Sequence, residues 1–198
     1  MSRILIIQGH PDPQGGRLCH ALADGYTAGA REAGDDVETI DVTHLDFPLL
    51  RGREDFKMRP VPDAIRETQS ALLRAEHVVL FYPIWNGTAP ALVRGFLEQT
   101  FRPAFSFPDM KPDERLTFRA AFSQRKRLAG RSGRLVVTMA MPAAAYRWYF
   151  RPHPEKNTLR LGGIDPVRES LVGRAESPDP HRRIAWLAEM QALGRRSA

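Results

Sequence analysis

The sequence contains very little cysteine and no long apolar run. Its one cysteine, Cys19, cannot form a disulfide within the chain, and a zinc cluster built from cysteines is excluded. The apolar run near the N-terminus covers only residues 4–7, which is too short for a secretory signal, and no segment approaches the roughly 18 apolar residues of a membrane span. We therefore expect a chain without a membrane span, in a cytoplasmic, reducing environment.

Lysine is scarce in the sequence, and basic residues outnumber acidic ones. The chain carries 29 Lys and Arg against 23 Asp and Glu, which gives a net charge of +6 and a pI near 10.0, and only four of the cations are lysines. This balance favours either an anionic partner (nucleic acid, an anionic membrane surface or a phosphorylated ligand) or an arginine-rich solvated surface. The basic run at 125–134 lacks any helix-turn-helix or RNP-type signature, so we expect no nucleic-acid partner.

Short apolar runs alternate with amphipathic segments along the chain. Strands are predicted at 3–8, 37–42, 77–82, 134–138 and 164–172, and helices at 17–33, 62–75, 91–101 and 181–193. The alternation predicts one α/β domain, residues 1–198, with a mostly parallel sheet. Five strands are the number in the flavodoxin-like, doubly wound sheet of order 2-1-3-4-5, which carries helices on both faces.

The connections that follow the strands are the expected location of a site, because ligands of such sheets bind beyond the carboxyl ends of the strands. These connections are residues 9–16, 83–88 and 138–146. The long connection 101–133 contains three prolines and part of the basic run, and it does not fit the alternation. Its role stays open at the level of sequence.

The first connection, 9–16, reads GHPDPQGG and leads into a predicted helix. It is neither a Walker A loop nor a GxGxxG fingerprint. The free amides of a helix N-terminus attract phosphate, Gly15 and Gly16 would let the backbone approach an anion, and His10 and Arg17 could add charge-assisted hydrogen bonds. The residues leave two interpretations open, a phosphate-binding loop or an ordinary strand-to-helix connection.

Each of the other two connections contains an aromatic residue, and the second leads into an aromatic cluster. Residues 83–90 read PIWNGTAP and could wall a flat ligand, or could be a turn in which Trp85 is a packing anchor. Residues 138–142 precede an aromatic cluster at 146–150, which is more typical of a core or a subunit interface than of a substrate site. Tyr146 is the member of this cluster nearest the strand end and is the candidate site residue.

Together, the segments GHPDPQGGRLCHAL, FYPIWNGTAPALVRGFLEQTF and VTMAMPAAAYRWYF resemble the flavodoxin-like NAD(P)H:quinone oxidoreductase family. That family includes quinone reductases and the flavin-binding ancillary subunits of potassium-efflux systems. The resemblance extends over nearly the whole chain, through residues 163–168. It implies a non-covalent flavin, FMN or FAD, with the compact loops favouring FMN, and NADPH or NADH as the reductant.

The resemblance also implies which residues contact the flavin, and it implies no metal. The expected cofactor-binding residues are His10, Gly15, Gly16, Arg17 and Leu18 for the phosphate and ribityl chain, Pro83, Ile84, Trp85, Asn86 and Gly87 for the isoalloxazine ring, and Thr138, Met139 and Ala140, with Tyr146 nearby, for its pyrimidine edge. Two departures concern affinity. The family usually has Ser or Thr where this chain has Gly15 and Gly16, and Gly where it has Ala140.

The implied reaction is a two-electron, ping-pong transfer in which hydride passes from the nicotinamide through the flavin to a quinone or similar small acceptor. Tyr146 and His153 are the predicted catalytic residues, although His153 could also be a solvated loop residue. Family members are usually homodimers, and the aromatic stretch 146–150 would suit such an interface. The alternative is a flavin-binding regulatory subunit acting on a partner such as a potassium-efflux transporter.

Overall fold

A computed structural model describes residues 1–57, 59–110, 117, 119, 123–150, 153–177 and 179–197. Its centre is a five-stranded parallel sheet, and the predicted strand order 2-1-3-4-5 is confirmed. The strands are β1 (Arg3–Gln8), β2 (Asp36–Asp41), β3 (His77–Pro83), β4 (Ser132–Met139) and β5 (Val167–Gly173). Part of the predicted 101–133 connection lies outside the described residues.

Helices cover both faces of the sheet. Four were predicted from periodicity: α1 (Leu18–Glu32), α3 (Asp63–Arg74), α4 (Ala91–Thr100) and α8 (Pro180–Gly194). Within the described residues, the shorter helices that were not predicted include α2 (Arg53–Lys57), α5 (Pro103–Ser106), α6 (Ala143–Tyr149) and α7 (Pro154–Gly162). Among the helices of the described residues, none combines the length and the apolar composition needed to cross a membrane.

Two apolar clusters lie on opposite faces of the sheet, because successive side chains of a strand point to opposite sides. On one face Ile4, Ile6 and Val79 pack under α1 and α8, and on the other Leu5, Ile7 and Val78 pack under α3 and α4. The central strands are therefore apolar and buried on both faces between their ends, at residues 4–7 of β1 and 78–81 of β3. Helices α1 and α8 approach so closely that a Cβ atom at Gly29 or Gly194 would overlap backbone atoms of the facing helix.

Strand β5 begins three residues later than predicted. Helix α7 ends at Gly162 and is followed by Gly163, which has φ 112°, and the Ile164 amide donates to the Leu159 carbonyl at 3.1 Å. This closure keeps Ile164 with the helix, in the left-handed C-terminal geometry that glycine favours. The strand starts only at Val167, after Pro166.

The basic run does not form an unpaired cationic surface in the described part of the chain. Arg131 donates to three carbonyls at the C-terminus of α3, those of Leu72, Leu73 and Ala75, at 3.1, 2.7 and 2.9 Å. Carbonyls at a helix C-terminus have no partner within the helix, and cations are favoured there. Arg127 donates to the Phe105 carbonyl at 2.7 Å. These arginines stabilise the fold through their hydrogen bonds.

We predict that His77, at the start of β3, makes the protein sensitive to acid. Its ring is 4% exposed, and its Nδ1 lies 2.7 Å from Ser132 Oγ. Burial, with Arg134 and Arg168 nearby, lowers the pKa of His77 to about 4. The unfolded chain, with a pKa near 6.5, takes up the proton first, so stability is retained above pH 6.5 and falls as the pH decreases toward 4. The full loss is about 3 kcal/mol.

Urea unfolding of the wild type and of His77→Gln at several values between pH 7 and pH 4.5 measures this contribution. The variant should show a smaller decrease in the free energy of unfolding over that interval, whatever its stability at pH 7. His181→Gln is the matched control, since His181 is exposed. Equal pH dependence in the wild type and in His77→Gln would refute the assignment.

Candidate functional site

An open cavity of about 670 Å³ lies at the carboxyl edge of the sheet. The described loops after β1, β3, β4 and β5 all contribute to it. Its lining residues are His10, Pro11, Asp12, Gly16, Arg17, Leu18, Cys19, Pro83, Ile84, Trp85, Thr138, Met139, Ala140, Ala175, Glu176 and Arg183. The three connections predicted from sequence therefore meet at one place.

A second groove of about 740 Å³ follows α3 and the edge strand β2. Charged side chains dominate its lining, among them Glu38, Asp63 and Arg66. It follows the outer edge of the sheet, whereas ligands of doubly wound sheets bind in the crevice where the connections of the central strands diverge. The cavity at the carboxyl edge is the better candidate for a functional site.

The loop after β1 is held by its own side chains. Gln8 accepts a hydrogen bond from the His10 amide at 2.9 Å, and its Nε2 donates to the Cys19 carbonyl at 3.4 Å. The Asp12 amide in turn donates to His10 Nδ1 at 3.1 Å. No side chain caps α1, so amides at its start are available to an anionic ligand, as a phosphate-binding loop requires.

Arg17 is paired within this loop. Its Nε donates to Asp12 Oδ2 at 2.7 Å. The Gln14 amide and Arg17 lower the pKa of Asp12, so the carboxylate stays ionised. Asp12 was not predicted as a site residue, and its position five residues before Arg17 in a turn-rich loop was the available signal. The positive potential for an anion therefore comes mainly from backbone amides.

His10 faces another imidazole. The ring centroids of His10 and His20 are 5.0 Å apart. Burial, followed by the proximity of His20, lowers the pKa of His10. Its Nδ1 accepts a hydrogen bond from the Asp12 amide, so in the neutral ring Nε2 carries the proton and can donate to a ligand.

Gly15 and Gly16 adopt φ angles of 72°, in the left-handed region that favours glycine. Gly16 lines the cavity, whereas Gly15 lies just outside its lining. A Cβ atom at either position would meet no other group within 4 Å. The two glycines are thus required by backbone conformation, while the space above them stays open.

The loop after β3 contains a two-residue turn. The Trp85 amide donates to the Thr88 carbonyl at 2.9 Å, and the Thr88 amide donates back at 3.1 Å. Asn86 and Gly87 between them have φ angles of 49° and 85°, as an Asn-Gly type I′ turn requires. Trp85 is 54% exposed and lines the cavity together with Pro83 and Ile84. Asn86 and Gly87 form the tip of the turn, beyond the cavity lining.

The loops after β4 and β5 form the remaining wall. Thr138, Met139 and Ala140 line the cavity, and the Ala175 amide donates to the Met139 carbonyl at 2.9 Å. Ala175, Glu176 and Arg183 were not predicted. Their signal was their position after the fifth strand, whose carboxyl end meets the same edge of the sheet. Cys19 also lines the cavity, and burial raises the pKa of its thiol, which therefore stays protonated.

The structure brings Tyr146 and His153 together, behind the turn and outside the lining of the cavity. Both are buried, and Tyr146 Oη lies 3.1 Å from His153 Nδ1 and 3.5 Å from the Gly87 carbonyl oxygen. Burial, with Glu155 and Glu169 nearby, raises the pKa of Tyr146 to about 12, so its phenol is protonated at neutral pH. His153 is thus not a solvated loop residue, and the catalytic role of the pair stays a prediction.

The aromatic cluster after β4 divides into buried and exposed members. Tyr146 is buried, and the Phe150 ring occupies the space that a Cβ atom at Gly87 would need. Trp148 and Tyr149 are 84% and 74% exposed. These two residues therefore lie outside the core, and their place at a subunit interface stays a prediction. In the described residues, no group of three or more His, Cys, Asp or Glu side chains could hold a metal ion.

Known proteins share this architecture. The NAD(P)H:quinone oxidoreductase from Methanothermobacter marburgensis matches with a TM-score of 0.75 at 17% identity, over 98% of this chain and 96% of that one. An FMN-dependent NADH-azoreductase from Bacillus anthracis matches with a TM-score of 0.68 at 14% identity, over 99% of both chains. At these identities the structural likeness establishes the fold alone.

Comparison of sequences also finds related proteins and a matching family model. An uncharacterized NAD(P)H oxidoreductase from Haemophilus influenzae is 24% identical over 106 residues, which are 52% of either chain. The chain thus spans about half the length of the curated relatives it matches. A family model described as a flavodoxin-like fold matches residues 2–193. Because this match covers nearly the whole chain, the protein belongs to the flavodoxin-like fold family.

Proposed function

We propose that the protein is a flavin-dependent NAD(P)H oxidoreductase that transfers hydride through bound FMN to a quinone or similar small acceptor. The observation that carries this proposal is the composition of the carboxyl-edge cavity. Its β1 side presents the uncapped start of α1, and its β3 and β4 sides present backbone and the exposed Trp85 ring. The names of the similar proteins, an NAD(P)H:quinone oxidoreductase and an FMN-dependent NADH-azoreductase, support it.

The residues present fit a flavin phosphate ester. The volume of about 670 Å³ lies within the range of roughly 300–1,000 Å³ usual for cofactor sites. The amides at the start of α1, the Gly16 backbone and His10 Nε2–H would hold the phosphate. Only Arg17 in this loop carries a full positive charge, and Asp12 accepts from it, which favours one phosphate group and therefore FMN over FAD.

The chain would orient the ring system and exclude water from part of it. Pro83, Ile84 and Trp85 would form one side, and the backbone of Thr138–Ala140 would meet the polar pyrimidine edge. When bound, the flavin supplies the hydride-transfer chemistry. The opening of the cavity would admit a nicotinamide and then the acceptor in turn, so ping-pong kinetics are expected. NADPH and NADH are both possible reductants.

A homodimer forms part of the proposal. Trp148 and Tyr149 lie on α6, close to the turn after β3, and both are largely exposed. Exposed aromatic residues of this size are typical of protein–protein contacts. A second copy of the chain is the proposed partner of this surface. Within the described residues, no contact favours the regulatory alternative with a transporter.

The first prediction from the proposed function concerns the cofactor. The purified protein, or the apoprotein after addition of FMN, should absorb near about 450 nm, and NADPH or NADH should bleach that band under anaerobic conditions. Benzoquinone should restore it. A protein that stays colourless and binds neither FMN nor FAD would contradict the proposal.

The second prediction uses a matched pair of glycines. Gly16 and Gly34 both have positive φ and open space around them, but only Gly16 lines the cavity. Alanine at either position should cost about 1–2 kcal/mol of stability because of the left-handed backbone. Only Gly16→Ala should also weaken FMN binding, by about tenfold. Fluorescence titration with FMN and urea unfolding separate the two effects, and equal FMN affinity in both variants would argue against the phosphate loop.

The third prediction concerns Tyr146 and His153 as the proposed catalytic pair. Tyr146→Phe removes the phenolic proton and should lower kcat by about 100-fold while leaving FMN affinity unchanged. His153→Asn should lower kcat as well. Tyr26→Phe is the control, because Tyr26 is equally buried but packs on the opposite face of the sheet. Unchanged kcat in Tyr146→Phe would remove this residue from the catalytic machinery.

A further inference from the structure

Glu155 is a buried carboxylate that the proposed chemistry does not use. It is the second residue of α7 and is 2% exposed. Its Oε1 accepts hydrogen bonds from Thr88 Oγ1 at 3.1 Å and from the Ala89 amide at 3.2 Å. Its Oε2 accepts from Tyr82 Oη at 3.3 Å. A buried charge persists only where hydrogen bonds and local dipoles replace water, so these contacts are needed.

The three donors share one location. Tyr82 lies near the end of β3, and Thr88 and Ala89 lie at the far end of the loop that follows it. The carboxylate thus joins both ends of one loop to the first turn of α7. The N-terminus of α7 adds favourable electrostatics, because negative charge is stabilised in the first turn of a helix.

On its cavity side, the same loop is fixed by a different bond. The Ile84 amide donates to the Thr138 carbonyl at 2.8 Å, which continues the pairing of β3 with β4. Between this bond and the Glu155 contacts stands the Trp85–Thr88 turn. The position of the Trp85 ring at the cavity therefore depends on two anchors, one in the sheet and one at Glu155.

We propose that Glu155 is a positioning residue that acts through Thr88, Ala89 and Tyr82 to fix the Pro83–Trp85 wall of the cavity. The expected effect of Glu155 on flavin binding rests on the proposed function. Its expected effect on the order of the loop does not. Glu155 also lies close enough to Tyr146 to add to the effect of burial, which raises the pKa of that phenol.

Hydrogen exchange of the full chain, with and without FMN, tests the proposal. In Glu155→Ala the amides of Trp85 and Thr88 should exchange about tenfold faster, as expected from the loss of charged hydrogen bonds. The amides of α1 should keep their wild-type rates. Gln69→Ala is the matched control, because Gln69 is also buried and donates to a distant carbonyl, that of Thr100, at 2.8 Å.

Two milder variants keep the test decisive if Glu155→Ala fails to fold. Glu155→Gln retains one oxygen for Thr88 and Ala89, so loop exchange should rise less than in the alanine variant. Thr88→Val removes one donor without changing the carboxylate. If Glu155 acts through Thr88, the double variant should change FMN affinity by less than the product of the two single changes.

The outcomes separate the two proposals. If the wild type binds no flavin, the proposed function fails, but exchange at Trp85 and Thr88 in the flavin-free protein still tests Glu155. Faster exchange at these amides in Glu155→Ala, with about tenfold weaker FMN binding where FMN binds, supports the positioning role. Wild-type exchange in the loop, or an equal increase in α1 and in the loop, would overturn it.

Discussion

The pairing of β1 with β3 at the centre of the sheet determines where the site lies. The two strands are adjacent, but the chain leaves them toward opposite faces, through α1 on one side and α4 on the other. A crevice must open above such a point, because the two connections diverge. The Gly9 amide extends the pairing by donating to the Phe81 carbonyl at 2.7 Å. A Cβ atom at Gly9 would lie 2.8 Å from that oxygen, so the close approach requires glycine.

Burial of the central strands and long helices explains which parts of the fold could be predicted from sequence. Strands buried on both faces are continuous apolar runs, and long helices carry a periodic apolar stripe, so both kinds of element leave a local signal. Helices α6 and α7 leave a weaker one. Each has nine residues or fewer. Helix α6 follows a proline and exposes Trp148 and Tyr149, and α7 begins at a proline. The proline at the start of α7 was the helix signal that the sequence offered.

The site was predictable to the extent that it follows the strand ends. His10, Pro83 and Thr138 meet because parallel strands deliver their carboxyl ends to one edge. Pairwise contacts inside that region were not predictable, since they depend on side-chain geometry. The ion pair of Asp12 with Arg17 and the bonds of Glu155 to Thr88 join residues whose relation appears only in three dimensions.

The many arginines of the sequence also have contacts that appear only in the folded structure. Several arginines donate to backbone carbonyls or pair with carboxylates, as Arg131 does at α3 and Arg74 with Glu38. A guanidinium has five N–H donors in a fixed plane, which suits it to bind several carbonyls at once. Net charge alone therefore says little about an anionic partner. Within the loop after β1, where Arg17 is paired with Asp12, the positive potential comes chiefly from amides at the start of α1.

A cavity built in this way is determined mostly by backbone. Its walls are set by glycine conformations at Gly16 and Gly87, by the sheet pairing and by buried side chains such as Glu155 that lie behind the loops. The fold itself tolerates extensive sequence change, as a TM-score of 0.75 at only 17% identity shows. The residues that most strongly determine whether a flat ligand fits should therefore be sought behind the surface that touches it, where a change moves the backbone of the wall itself.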